Sequence, residues 1–194
     1  MAKARPESGF GANAGRESLP ETATVVLDAA GIERATRRIA HEILESDPEL
    51  DDLCLVAIES GGIPVGELIA GHLLELRSRE IRLGALDVTL YRDDVIAHGR
   101  RPIPRPTRMP FGVGGKRVVL IDDVIFTGRT IRAAMDAAID FGRPAAIQVA
   151  TLIDRGHREL PIRVDFVGKN IPTARSQKVV LRRRPEGELE VVVQ

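Results

Sequence analysis

Two adjacent carboxylates, Asp122 and Asp123, follow four apolar residues, Val118–Ile121, and the turn Thr127-Gly128-Arg129-Thr130 comes shortly after. Gly128 allows close approach of the backbone to a ligand. Successive amides leading into a helix N-terminus offer hydrogen-bond donors and partial positive charge to a phosphate. The Thr127 and Thr130 hydroxyls add donors. Acids beside a phosphate repel it unless a sugar lies over them. Carboxylates accept hydrogen bonds from ribose 2- and 3-hydroxyls and support Mg²⁺ directly or through water. A ribose carrying a 5-phosphate satisfies both halves of the pattern. The plainer alternative is a strand ending in two solvated aspartates, with Thr130 capping the next helix.

Such a constellation needs elements to hold it. Arg117–Ile121 reads as a strand buried on both faces, as in parallel sheets, and Thr130–Phe141 as the helix after the turn. Upstream, Val25–Leu27 reads as a short strand, and Ile32, Ala35, Ile39, Ile43 and Leu44 recur at helical spacing over 31–46. Asp47-Pro48 ends that helix, since a residue before proline avoids the helical region. Leu53–Ile58 is a strand-length apolar run; Gly61-Gly62 follows, and Ile63-Pro64 opens a helix reaching about Ser78. Ala85–Tyr91 and Ala145–Ile153 read as further strands, and the remainder alternates short strands with turns. Strand–helix alternation implies an α/β fold with a largely parallel sheet. The stretch Arg92–Lys116 holds four prolines, four glycines and Arg100, Arg101, Arg105 and Arg108. Its length suits a lid over a site, or a plain surface loop. Residues 1–24 are expected to form a flexible arm and 25–194 one domain.

Val118–Thr130 resembles the phosphoribosyl pyrophosphate signature of type I phosphoribosyltransferases. More closely, the chain resembles the bifunctional pyrimidine operon attenuation regulator / uracil phosphoribosyltransferase family, through Arg37–Ile43 (RRIAHEI), Asp87–Asp94 (DVTLYRDD) and Asp154–Thr173 (DRGHRELPIRVDFVGKNIPT). The resemblance covers about 25–182. It implies the type I fold: a mostly parallel central sheet flanked by helices, a small hood and a flexible lid. It also implies transfer of phosphoribosyl from phosphoribosyl pyrophosphate to uracil, giving UMP and pyrophosphate with Mg²⁺, and a homodimer or homotetramer in the cytoplasm. Asp122 and Asp123 would hold the ribose hydroxyls and Mg²⁺; Val124, Ile125, Phe126, Thr127, Gly128, Arg129 and Thr130 would form the 5-phosphate loop. Ser60, Gly61 and Gly62 would form the pyrophosphate loop, faced by Arg92. Hood backbone near Val179, with Arg155, would recognise uracil. Two positions depart from the family pattern. The pyrophosphate loop, commonly Thr-Arg-Gly, reads Ser60-Gly61-Gly62 here, so a basic side chain is missing beside a polyanion. Phe126 replaces a usual Tyr; purine-type relatives often carry Asp there, which disfavours a purine substrate.

Binding of an mRNA leader hairpin under UMP control is the family's second activity. The candidates are Arg34, Arg38 and His41 on the first helix, with His157, Arg158, Arg163 and Lys169. Such side chains can neutralise phosphates and stack on or bond to loop bases. A solvated helix face carries the same spacing, because residues three and four apart always align. The alternative to a working transferase is an RNA-binding regulator with weak or no transferase activity, retaining the nucleotide site as a sensor.

Composition narrows the rest. With 194 residues, 43% hydrophobic and 29% charged, the chain is sized and mixed like one globular domain. Its formal net charge is zero, so bulk electrostatic capture of nucleic acid or membrane is not indicated. A lone cysteine, Cys54, excludes an internal disulfide and lies in an apolar run, which suits a buried thiol. No Trp and one Tyr argue against stacking platforms for single strands. No apolar stretch approaches membrane-spanning length, and residues 1–21 lack a signal-like apolar core. Gly9–Ala14 lacks the strand and helix of a dinucleotide fingerprint, and Gly112–Lys116 lacks P-loop spacing. His41, His72, His98 and His157 lack metal-ligand spacing, with His72 read as surface or packing, and Arg182-Arg183-Arg184 reads as a solvated strand end.

Overall fold

The computed structural model describes residues 23–59, 61–92 and 104–194. Most of the expected arm, Ser60, and the middle of the expected lid with His98, Arg100 and Arg101 lie outside these residues.

Five parallel strands form the central sheet: β2 (Leu53–Ile58), β3 (Arg82–Leu86), β4 (Arg117–Ile125), β5 (Ala146–Asp154) and β6 (Phe166–Asn170), in the order β3-β2-β4-β5-β6. β4 is central because its apolar run can be buried on both sides. Val119 and Ile121 pack with helices α1 (Ala29–Ser46) and α2 (Gly62–Arg77). Val118 and Leu120 pack on the other side with Ile131, Ala133, Ala134, Ala137 and Ala138 of α3 (Arg129–Ile139). Each residue of β2, Cys54 included, is likewise buried. The chain ends join in a separate antiparallel sheet in which β8 (Leu189–Val193) lies between β1 (Thr24–Leu27) and β7 (Val179–Arg183).

Local chemistry sets the boundaries. Asp28 caps α1 by accepting the Gly31 amide at 2.8 Å. Asp47 is its C-cap, as the Asp-Pro pair predicted. The expected strand Ala85–Tyr91 is corrected to β3 followed by a 3₁₀ turn at Thr89–Tyr91. Asp87 causes the break: its Oδ1 accepts both the Thr89 amide (2.9 Å) and the Thr89 hydroxyl (2.6 Å), an Asx-type turn that ends the ladder. The third helix begins at Arg129 and stops at Ile139, two residues before the predicted Phe141.

Arg182–Arg184 is no merely solvated strand end. Glu190, with a side chain only 2% exposed, accepts Arg182 Nε and Arg184 Nε at 2.6 Å each. Burial pushes its carboxyl up, but the two arginines outweigh that and hold it below the ordinary glutamate value. His72 is buried between α1 and α2, its Nε2 3.1 Å from the Thr36 hydroxyl. That hydroxyl already donates to the Ile32 carbonyl at 3.0 Å, which leaves Nε2 to donate to it. Burial lowers the His72 pKa, against the opposing pull of Glu33 and Glu75.

Candidate active site

β4 runs four residues further than its apolar run suggests, and this extension places the acids. Pairing of β4 with β2 ends at Ile121↔Ala57, whereas pairing with β5 continues to Ile125↔Asp154. Asp122 and Asp123 therefore leave the sheet on one side only, at the carboxyl ends of parallel strands, where α/β sheets usually bind ligands. Asp122 is 7% exposed, and its Oδ1 accepts the Asp123 amide at 3.0 Å. The Thr151 hydroxyl donates to the Asp123 carbonyl at 3.3 Å. Burial, and secondarily the charge of Asp123, push Asp122 well above the usual carboxylate range, while Arg92 pulls it partly back. Asp123 is raised by burial as well. Two adjacent acids, one buried and one half-buried, are costly, and Arg92 offsets that cost only in part. Sugar hydroxyls and a hard divalent cation are the chemical partners that would relieve it.

The turn after β4 is an open anion cradle. Gly128 stands at φ 92° as the N-cap of α3, with no side chain capping the helix. The capping role considered for Thr130 is thereby excluded. The nearest substitute is a long 3.4 Å bond from the Arg129 amide to Thr127 Oγ1. The first amides of α3 thus remain available to a phosphate. Arg92, Asp122 and Val124–Ile131 line a cleft of about 350 Å³. The cleft contains seven of the residues expected in the 5-phosphate loop, with Arg92 and Asp122 across from them.

Gly61 and Gly62 reach the same place from α2. A Cβ on Gly61 would fall on the Asp123 carboxylate, and one on Gly62 would fall on the Ile121 carbonyl oxygen. Both glycines let the α2 N-terminus press against the end of β4. Gly61 is the N-cap and provides no side-chain cap, so a second helix N-terminus presents open donors near the acids.

The segment after β5 is more than the surface its charges suggest. Arg158 Nη1 donates to the Phe126 carbonyl at 2.9 Å, and Arg158 Nη2 pairs with Asp154 at 2.6 Å. The Glu159 and Leu160 amides donate to the Thr127 carbonyl at 3.0 and 3.3 Å, and the Glu159 carboxylate holds Arg129 Nε at 3.1 Å. Asp154, Arg158 and Glu159 buttress the phosphate turn; sequence reasoning missed that role. The DRGHRE motif signalled their importance without saying what they touch.

Arg155 is buried, with Nε donating to Thr173 Oγ1 at 3.1 Å and Nη2 to the Ala174 carbonyl at 2.9 Å. His157, at φ 62°, sits with Nε2 2.6 Å from the Thr173 carbonyl and its ring edge-on to Phe126. Arg155 and His157 line a wider depression with Asn170–Thr173, and Phe126 separates it from the cleft. Val179, the first residue of β7, lines neither hollow.

The remaining basic candidates divide by environment. Arg34, His41 and Arg163 are exposed. Arg38 Nη2 donates to the Val167 and Gly168 carbonyls at 2.8 and 2.5 Å, and Lys169 Nζ to the Val26 carbonyl at 3.0 Å. Arg38 and Lys169 thus tie β6 to α1 and β1. Among the described residues there is no cluster of three or more His, Cys, Asp or Glu that could hold a metal by itself. No helix among them is long and apolar enough to cross a membrane.

Comparison with known proteins agrees with this geometry. The profile of the phosphoribosyl transferase domain matches residues 23–181. The chain is 52% identical over 158 residues to the bifunctional protein PyrR of Geobacter sp. (strain M21), covering 81% of this chain and 89% of that one. It is 54% identical over 169 residues to that of Chloroflexus aurantiacus, covering 87% and 93%. Among solved structures, a hypoxanthine-guanine phosphoribosyltransferase from Bacillus anthracis superposes with a TM-score of 0.63 at 17% identity, over 77% of this chain and 84% of that one. The hypoxanthine phosphoribosyltransferase of Trypanosoma cruzi, in complex with IMP, gives 0.63 at 18% identity, over 82% and 81%. At such identities these two speak for the fold alone.

Proposed function

Because this chain belongs to the phosphoribosyl transferase family and, within it, to the bifunctional PyrR proteins, we propose that it makes UMP and pyrophosphate from uracil and phosphoribosyl pyrophosphate. The observation that carries this reading is the buried Asp122, with Asp123 next to it, sharing one cleft with the uncapped N-terminus of α3. Asp122 and Asp123 would accept the ribose hydroxyls, and the amides of Thr127–Thr130 would take the 5-phosphate. Gly61, Gly62 and Arg92 would face the pyrophosphate.

In the reaction a bond forms between uracil N1 and the anomeric carbon, and the bond from that carbon to pyrophosphate breaks with its electron pair leaving on oxygen. The N1 proton departs to solvent or base. Two acids and phosphate oxygens make a hard, oxygen-only donor set, which fits Mg²⁺ held through one or two carboxylates and the substrate. When bound, Mg²⁺ would offset the charge that builds on the leaving group. The rest of the chain's contribution is fixed amide donors and orientation of the two reactants.

RNA binding under UMP control is the second half of the proposal. Arg34, His41 and Arg163 supply exposed basic groups, and Arg38 and Lys169 fix the α1–β6 surface that carries them. A homodimer or homotetramer is the assembly proposed with it.

The test is product formation from phosphoribosyl pyrophosphate and Mg²⁺ with uracil, guanine, hypoxanthine and orotate side by side, with Asp123→Asn as control. UMP from uracil alone, lost in the control, is expected. No UMP at saturating substrates overturns the transferase reading, and equal affinity for unrelated RNA overturns the regulatory one.

A further inference from the structure

The pyrophosphate loop of this chain lacks a cationic side chain, since Gly61 and Gly62 stand where the family commonly places Arg-Gly. Two arginines reach the same edge of the sheet from another part of the chain. Glu59 immediately follows β2 and leads into that loop; its amide donates to the Leu86 carbonyl at 2.9 Å. Its side chain is only 8% exposed, and its two oxygens face Arg105 Nη1 at 3.5 Å and Arg108 Nη2 at 3.3 Å. Both guanidinium groups are nearly half exposed. Two guanidinium groups thus share one carboxylate at the sheet edge that leads into the uncapped N-terminus of α2.

The arginines are not carried there loosely. The Arg108 amide donates to the Ala85 carbonyl at 2.7 Å and the Ala85 amide to the Arg108 carbonyl at 2.9 Å. Asp87 Oδ2 accepts the Arg105 amide at 2.6 Å, and Thr107 Oγ1 accepts the Asp87 amide at 3.1 Å. Gly84 permits this docking, because the Met109 sulfur and the Phe111 ring occupy the space a side chain would need. The backbone is pinned at the carboxyl end of β3, while each guanidinium group holds Glu59 through a long bond.

We propose that Arg105 and Arg108 are the pyrophosphate-binding cations of this chain, parked on Glu59 until pyrophosphate oxygens take its place. The proposal rests on the transferase reading above. Long, half-exposed ion pairs are weak, whereas a guanidinium fork on phosphate oxygens makes strong charge-assisted bonds. Exchange of one for the other is therefore favourable, and the carboxylate sets its strength.

The experiment measures affinity for inorganic pyrophosphate with Mg²⁺, affinity for UMP, and the KM for phosphoribosyl pyrophosphate. The proteins are wild type, Arg105→Ala/Arg108→Ala, Arg108→Lys and Glu59→Gln, each first checked for an unchanged Tm. The double variant is expected to lose about tenfold or more in pyrophosphate affinity, with a parallel rise in KM and UMP affinity unchanged, since about 1.4 kcal/mol suffices for tenfold. Arg108→Lys should recover part of the loss, and Glu59→Gln should bind pyrophosphate more tightly than wild type. Unchanged pyrophosphate affinity in the double variant overturns the proposal, as do equal losses for pyrophosphate and UMP. A wild type that binds pyrophosphate through these arginines yet makes no UMP overturns the transferase reading and leaves the binding assignment standing.

Discussion

The guanidinium carbon of Arg155 stands 4.2 Å from the centre of the Phe126 ring. Arg155 also donates to the Thr173 hydroxyl and the Ala174 carbonyl, so the cation links the ring at the edge of the cleft to the 173–174 segment. Arg155, proposed with hood backbone near Val179 to recognise uracil, also fixes the 173–174 segment.

Phe126→Leu is expected to raise the KM for uracil several-fold and leave that for phosphoribosyl pyrophosphate unchanged. Removing the ring costs a cation–π contact of about 1 kcal/mol and loosens Arg155. Phe126→Tyr keeps the ring and should keep the KM. Steady-state kinetics with each substrate varied in turn checks both.

Asp122→Asn should abolish UMP formation and raise the Tm at neutral pH. The native pKa of Asp122 is above its unfolded value of about 3.9. The native state therefore binds the extra proton between those two values, and stability falls as pH rises through that window. The amide removes this loss. Its Tm advantage should be present at pH 7 and vanish near pH 4, as thermal melts across pH would record.

Gly62→Ala should destabilise the protein by about 2 kcal/mol or more, because the added carbon meets a backbone carbonyl that cannot swing aside. Urea unfolding measures it, and a midpoint equal to wild type would mean that α2 shifts freely.

Arg34→Ala should weaken binding of a leader hairpin at unchanged Tm and reduce its salt dependence by roughly one phosphate contact. Arg38→Ala should lower the Tm too, since its guanidinium bonds the Val167 and Gly168 carbonyls. Filter binding at several salt concentrations, alongside thermal melts, separates the two.

Glu190→Gln should lower the Tm by about 3 °C at pH 7, the half-exposed arginines limiting the loss. The native carboxyl lies below its ordinary value, so its contribution is present above that value and is lost as pH falls through the native pKa. The difference between variant and wild type should therefore narrow in acid.

Local signals were legible where chemistry is local. The apolar run before Asp122, Gly128 at a turn that needs positive φ, and the helical spacing of Ile32, Ile39 and Ile43 each specify an element through neighbours in sequence. The parallel α/β architecture followed from their alternation, and the cleft of Asp122 and Thr127–Thr130 from one contiguous motif. The strand reading of Thr89–Tyr91 failed because the Asp87 side chain competes with the ladder for backbone donors, which an apolar pattern does not register.

Partnerships between distant residues were decided only on folding. Arg38, Arg158 and Lys169 look alike as exposed cations in sequence, yet each spends its charge on carbonyls or carboxylates brought to it by the sheet. Arg182 and Arg184 acquire Glu190 only because β7 and β8 pair. Arg105 and Arg108 meet Glu59 across more than forty residues through the docking on β3. Composition and spacing determined the backbone of this protein and its central motif, because those depend on local conformation and burial. The tertiary structure decided what each long charged side chain does, because such a side chain reaches whichever acceptor the fold sets within a few ångströms.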